Sequence, residues 1–209
     1  MRSVLAVVVC LLAVPQLAGA QQQPGAATAD DAARAAFEHA LSFHDFDSFE
    51  LGVAARPDHM QTLIRSIDDA VRRRARALER LEPVLAHRRP RWSIAALVER
   101  GRIHETFARG LREPPVVALP HQAADLEIAR RAFARRAGDA ECRAMVEYLR
   151  AVRLARSERL ETPEALVARD RLRARSARTL RRCIEAGRRD DPSLDRFHAD
   201  ELELESGRN

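Results

Sequence analysis

Apolar residues recur from Met60 through Ile64, Ile67, Val71, Leu78 and Leu81 to Leu85 at alternating steps of four and three, with Arg74 filling the polar place in the seam. That rhythm returns side chains to one face of an α-helix, whereas a strand needs a period of two. A helix over residues 58 to about 87 would reach roughly 40 Å at 1.5 Å per residue. Pro83, which has no N–H to donate, is expected to bend its last turn. One such seam could serve an intermolecular coil, but the next segment supplies a partner within the chain. Residues 92 to about 111, after Pro90, carry small Ala95, Ala96 and Gly101 among bulky Trp92, Leu97, Ile103 and Phe107. Glycine inside a helix costs about 1 kcal/mol relative to alanine, so Gly101 implies that a neighbouring helix crosses tightly there. Trp92, Ala95, Ala96, Gly101 and Phe107 form the expected helix-packing set.

The rest of the chain reads the same way. Asp30 caps a short helix through Ala32, Ala36, Phe37, Ala40 and Leu41, and a helix over about 121–137 turns Ala123, Leu126, Ala129 and Phe133 inward before Gly138. Asp139 then starts a helix to about residue 160. Thr162-Pro163-Glu164 starts another that stops at Gly187, with a capping hydroxyl, a proline at the first position and an acid in the first turn. Folded at residue 162 as an antiparallel hairpin, this pair brings Cys142, 20 residues before the corner, level with Cys183, 21 residues after it. Both lie on the facing stripes, beside Met145, Leu149 and Val152 on one helix and Ala168, Leu172 and Leu180 on the other. A disulfide there would close a loop of about 42 residues, worth roughly 4 kcal/mol on the chain-entropy account. The other reading is two buried thiols acting as small apolar residues. No segment shows sustained two-residue alternation, so the expected fold is all-α, an array of antiparallel helical hairpins with about six helices.

Arg2 gives a positive start, residues 4–14 form an uncharged apolar run, and after Pro15 the triplet Ala18-Gly19-Ala20 fits the small-x-small cleavage rule. A bilayer core needs roughly 20 apolar residues, so this shorter run reads as a cleaved export signal over residues 1–20 and not as an anchor. Cys10 follows Val7-Val8-Val9 where a lipoprotein has a small residue. The expected organisation is signal 1–20, leader 21–29, one helical domain 30–189 and an acidic tail 190–209, in a periplasmic or secreted protein. Two cysteines then remain, an even number that suits an oxidising compartment.

All 36 basic residues are arginine, which excludes a Schiff-base lysine, a phosphate-loop lysine and a Ser-Lys dyad. The chain has no GxGxxG and no HExxH; His104-Glu105-Thr106-Phe107-Ala108 lacks the second histidine. No catalytic residue, cofactor or metal is expected. His44, Asp45, Asp47 and Glu50 read as a solvated acidic turn and not as a metal site. Residues 51–189 carry a net +14 between two acidic ends, 21–50 and 190–209, of −5 each. Arg72, Arg73, Arg76 and Arg80 cluster on the long helix, and Arg88, Arg89 and Arg91 follow it, making a candidate basic surface. Export argues against nucleic acid, and no aromatic residues interleave with these arginines as stacking platforms. Anionic envelope lipid or polysaccharide suits the same charges, while the plainer account is a solvated face with i,i+4 Arg–Glu pairs. The tail Asp200-Glu201-Leu202-Glu203-Leu204-Glu205 either is disordered or lies back on the basic body.

The stretch Trp92-Ser93-Ile94-Ala95-Ala96-Leu97, with Gly101, Glu105-Thr106-Phe107-Ala108, Leu111 and Pro114-Pro115 after it, resembles a segment of exported, tetratricopeptide-repeat-like helical proteins of Gram-negative bacteria. The resemblance covers roughly residues 58–116. It departs from the repeat at Arg100, where a leucine is expected, at His104, where an aromatic residue is expected, and at Pro114-Pro115, on which the second helix would fall. No 34-residue self-similarity runs along the chain. Proteins of this class stack helical hairpins and hold other proteins on the resulting surface. The resemblance thus implies a non-catalytic scaffold or adaptor with a protein partner in the cell envelope. Binding of anionic lipid or glycan is the alternative.

Overall fold

The computed structural model describes residues 28–43, 59–113 and 123–188. They form seven helices: α1 (Ala29–Leu41), α2 (His59–Glu79), α3 (Glu82–Ala86), α4 (Pro90–Arg112), α5 (Ala123–Ser157), α6 (Pro163–Arg173) and α7 (Ala177–Arg188). No strand occurs among the described residues, and none of their helices is long and apolar enough to cross a membrane. The candidate signal 1–20, the cluster His44–Glu50, the connector 114–120 and the tail 190–209 lie outside the described residues.

Local chemistry sets the helix boundaries, in places not where sequence signals put them. α1 begins two residues before expectation: Thr28 Oγ1 accepts from the Asp31 N–H while the Asp31 carboxylate accepts from the Thr28 N–H, a reciprocal capping box. The long helix expected over 58–87 breaks at Arg80–Leu81. Pro83 cannot donate to the preceding turn, and the chain restarts as the five-residue α3. Gly138 does not end a helix. α5 runs through it for 35 residues and stops on Arg159, whose φ of 54° is left-handed. There the Leu160 N–H reaches the Ala155 carbonyl at 2.8 Å and the Arg159 N–H the Arg156 carbonyl at 3.2 Å, a Schellman ending. Thr162 caps α6 through the Ala165 N–H, as Thr162-Pro163-Glu164 predicts. That helix ends at Arg173, and Ser176 Oγ, accepting from the Thr179 N–H, starts α7.

Among the described helices the pairing of α4 with α5 is the most extensive, and two apolar clusters flank it. One collects Ile67, Ala70, Leu81 and Val84 with Ala96, Ile103, Phe107 and Leu111 of α4 and Ala129, Phe133 and Ala137 of α5. The other joins Ile94 and Leu97 to Met145, Leu149 and Val152, with Ala165, Ala168 and Leu172 of α6 and Leu180, Cys183 and Ile184 of α7. Full burial of a Leu- or Phe-sized side chain contributes about 1.5–3 kcal/mol, so these clusters supply most of the driving force. At Gly101 of α4 a Cβ would run into the Tyr148 ring of α5. Cys142 and Cys183 have their sulfurs 2.18 Å apart, at disulfide distance, with Cα atoms 4.5 Å apart, tying α5 to α7.

Candidate functional site

Where α4 passes α5, polar side chains gather on the level of Gly101. Arg100 Nε donates to Glu147 Oε1 at 3.1 Å, and the same guanidinium reaches Glu82. Glu147, nearly buried, also accepts from Arg150 at 3.4 Å. Tyr148 Oη donates to Glu105 Oε2 at 3.0 Å. Arg171 and Arg175 approach Glu105 at 3.7 Å each, one toward either oxygen. Burial, then the Glu105 carboxylate, raises the Tyr148 phenol well above its ordinary range. Glu105 Oε1 is buried without a hydrogen-bond partner among the described residues.

His104 is buried on the same helix, and its Nδ1 has no hydrogen-bond partner among the described residues. Burial, with the cations of Arg74, Arg100 and Arg143 around it, pushes its pKa down to about 3, so the ring is neutral near pH 7. Arg74, the polar residue in the α2 seam, lies 4.2 Å over the Phe107 ring. Burial and then Arg143 bring it down to about 10, still charged at neutral pH. A guanidinium can occupy an apolar seam in this way because its flat face stacks on an aromatic ring.

Glu105 opens onto a cleft of about 830 Å³. Leu41, Phe43, Leu81 and Ile103 give it apolar lining. Arg102, Arg109, Arg112, Arg171 and Arg175 contribute positive charge, and Glu99, Glu105, Glu113 and Glu141 negative charge. Leu41 and Phe43 are 40% and 41% exposed, high for such side chains. Arg112 is held by Glu141 at 2.5 Å and Arg102 by Glu99 at 3.2 Å. No group of three or more metal-ligating side chains occurs among the described residues.

The residues singled out from sequence lie elsewhere. Ala95, Ala96, Gly101 and Phe107 are buried between helices, and Trp92 is half-buried with its ring 5.9 Å from that of Phe37. Arg72, Arg76, Arg88, Arg89 and Arg91 are exposed, whereas Arg73 and Arg80 are half-buried and Arg80 lies 3.9 Å over the Phe43 ring. None of these seven arginines lines the cleft. The cleft arginines were nonetheless written in the sequence: Arg102, Glu105, Arg109 and Arg112 recur at steps of three, four and three, one charged stripe on α4. Comparison with protein-family models, curated proteins and solved structures found no match to this chain.

Proposed function

We propose that the chain is a non-catalytic helical scaffold, exported to the periplasm or beyond, that holds a protein partner in the cleft beside α4. Apolar lining flanked by charges of both signs carries this reading. An apolar floor gives affinity, and mixed Arg and Glu walls match the alternating charges and amides of a polypeptide. A simple polyanion site would not set four carboxylates among its arginines. The helices are read as tetratricopeptide-like antiparallel hairpins. In support, Arg112 of α4 meets Glu141 of α5 while Arg100 meets Glu147, so numbering rises along one helix as it falls along the other. The apolar run 4–14 and Ala18-Gly19-Ala20 support export.

The exposed arginines Arg72, Arg76, Arg88, Arg89 and Arg91 favour a second reading, a surface for anionic lipid or glycan. Crosslinking capture from the envelope fraction separates the two. For the scaffold, one partner is retained through about 0.5 M salt, beyond the range of exposed charge attraction, and is lost in the Leu41→Asp, Phe43→Asp double variant. Binding to anionic vesicles that collapses with salt and ignores Leu41 and Phe43 would favour the second reading.

A further inference from the structure

We infer that, without a partner, the cleft is occupied by the chain's own acidic segment, residues 190–209. The inference rests on reading the cleft as a docking site. The segment carries seven acids and two arginines, with Phe197, Leu202 and Leu204 among them. In Glu201-Leu202-Glu203-Leu204-Glu205 acids and leucines alternate, so an extended stretch presents leucines on one side and carboxylates on the other. The cleft offers a mixed complement that suits such an alternating peptide and not a bare polyanion: exposed Leu41 and Phe43 beside Arg109, Arg171 and Arg175, the last two 3.7 Å from Glu105, with Arg112 held by Glu141.

Connectivity permits the contact. α7 ends at Arg188, and Arg175, on the cleft wall, precedes its first residue by two. The 12-residue helix between them spans about 18 Å, whereas 20 residues of extended chain reach up to roughly 66 Å. About six residues suffice for the return, leaving the Phe197–Glu205 stretch free to lie along the cleft. Tethering also raises the local concentration of the segment to the millimolar range, ahead of any free acidic peptide.

The test uses the full-length chain with Phe197→p-benzoylphenylalanine, irradiated and mapped by peptide mass spectrometry. Crosslinks within one molecule to residues 41–43 or 102–112 are expected. Their yield should fall about fivefold at 0.5 M salt, because the contact is between exposed charges. Glu201→Gln, Glu203→Gln and Glu205→Gln together, which leave the helical body untouched, should cause a similar loss. Arg171→Glu with Arg175→Glu should abolish the crosslink, and Glu201→Arg with Glu203→Arg should restore it. Crosslinks scattered over the surface, crosslinks only between molecules, or a yield indifferent to the tail charges would each overturn the inference. If no cleft crosslink forms while the partner is still captured through Leu41 and Phe43, self-occupancy fails and the scaffold reading stands. A cleft crosslink without any capturable partner supports self-occupancy and removes the scaffold reading.

Discussion

Gly101 and Gly138 look alike in the sequence, since each interrupts a helical pattern, yet the structure gives them opposite reasons to be glycine. At Gly101 a methyl group would enter the Tyr148 ring, which cannot swing aside without giving up its bond to Glu105. Gly101→Ala should therefore destabilise the fold by about 1–3 kcal/mol, although alanine is the better helix former. At Gly138 nothing lies within 4 Å of the place a methyl group would take, so Gly138→Ala should stabilise by about 0.5–1 kcal/mol. Opposite signs in urea denaturation of the two variants would check both. The tight crossing at Gly101 was legible because bulky residues surround it. Gly138 misled because open space on a helix leaves no mark in the sequence. His104 makes a third residue-scale case. Its folded pKa of about 3 lies below the unfolded value of 6.5, so the unfolded chain binds the extra proton first, and stability falls as pH drops from about 6.5 toward 3. Relative to His104→Leu, the wild type should lose about 3 kcal/mol between pH 7 and pH 4, read from paired denaturation curves.

Helix ends and charged contacts between helices belong to the next scale. With 8 glycines in 209 residues, the chain ends α5 on Arg159 in the left-handed region, where a side chain is strained by roughly 1–2 kcal/mol. Arg159→Gly should recover about 0.5–1 kcal/mol of that in thermal unfolding, the larger freedom of glycine in the unfolded chain taking back the rest. The reading of sequence came within a turn of this end but missed the break after Arg173, because there the Ser176 hydroxyl, capping α7, stands in for the glycine stop on which boundary signals depend. Thr162-Pro163-Glu164, which carries its own cap, was readable. Between α4 and α5, Arg100 and Glu147 form an ion pair with side chains 15% and 6% exposed. Arg100→Met alone should cost about 2–4 kcal/mol, because it leaves the buried Glu147 carboxylate with the weaker Arg150 contact at 3.4 Å. Adding Glu147→Met should recover most of that loss, and a double-mutant cycle would report the coupling. Such a pair is not visible in sequence, since its members stand 47 positions apart.

For the molecule as a whole, the all-helical class followed from the four-three seam and the lack of alternation, and the cysteine register followed from counting outward from residue 162. The register survived the unexpected break between α6 and α7 because both short helices lie on α5 and keep their stripes against it. The cleft was less legible: its lining comes from α1, α2, α4, α5 and the end of α6, and such convergence needs tertiary structure. Replacing both cysteines, Cys142→Ala with Cys183→Ala, should lower global stability by roughly 4 kcal/mol on the loop-entropy account, measured against the oxidised wild type in urea. The same link acts on more than stability. Cys183 stands five residues before Arg188, so the anchor sits almost at the root from which the acidic terminus departs. While the bond is intact, the end of α7 is moored covalently to the long helix; once it is cut, the apolar contacts of Leu180 and Ile184 must hold that origin for the proposed tail contact.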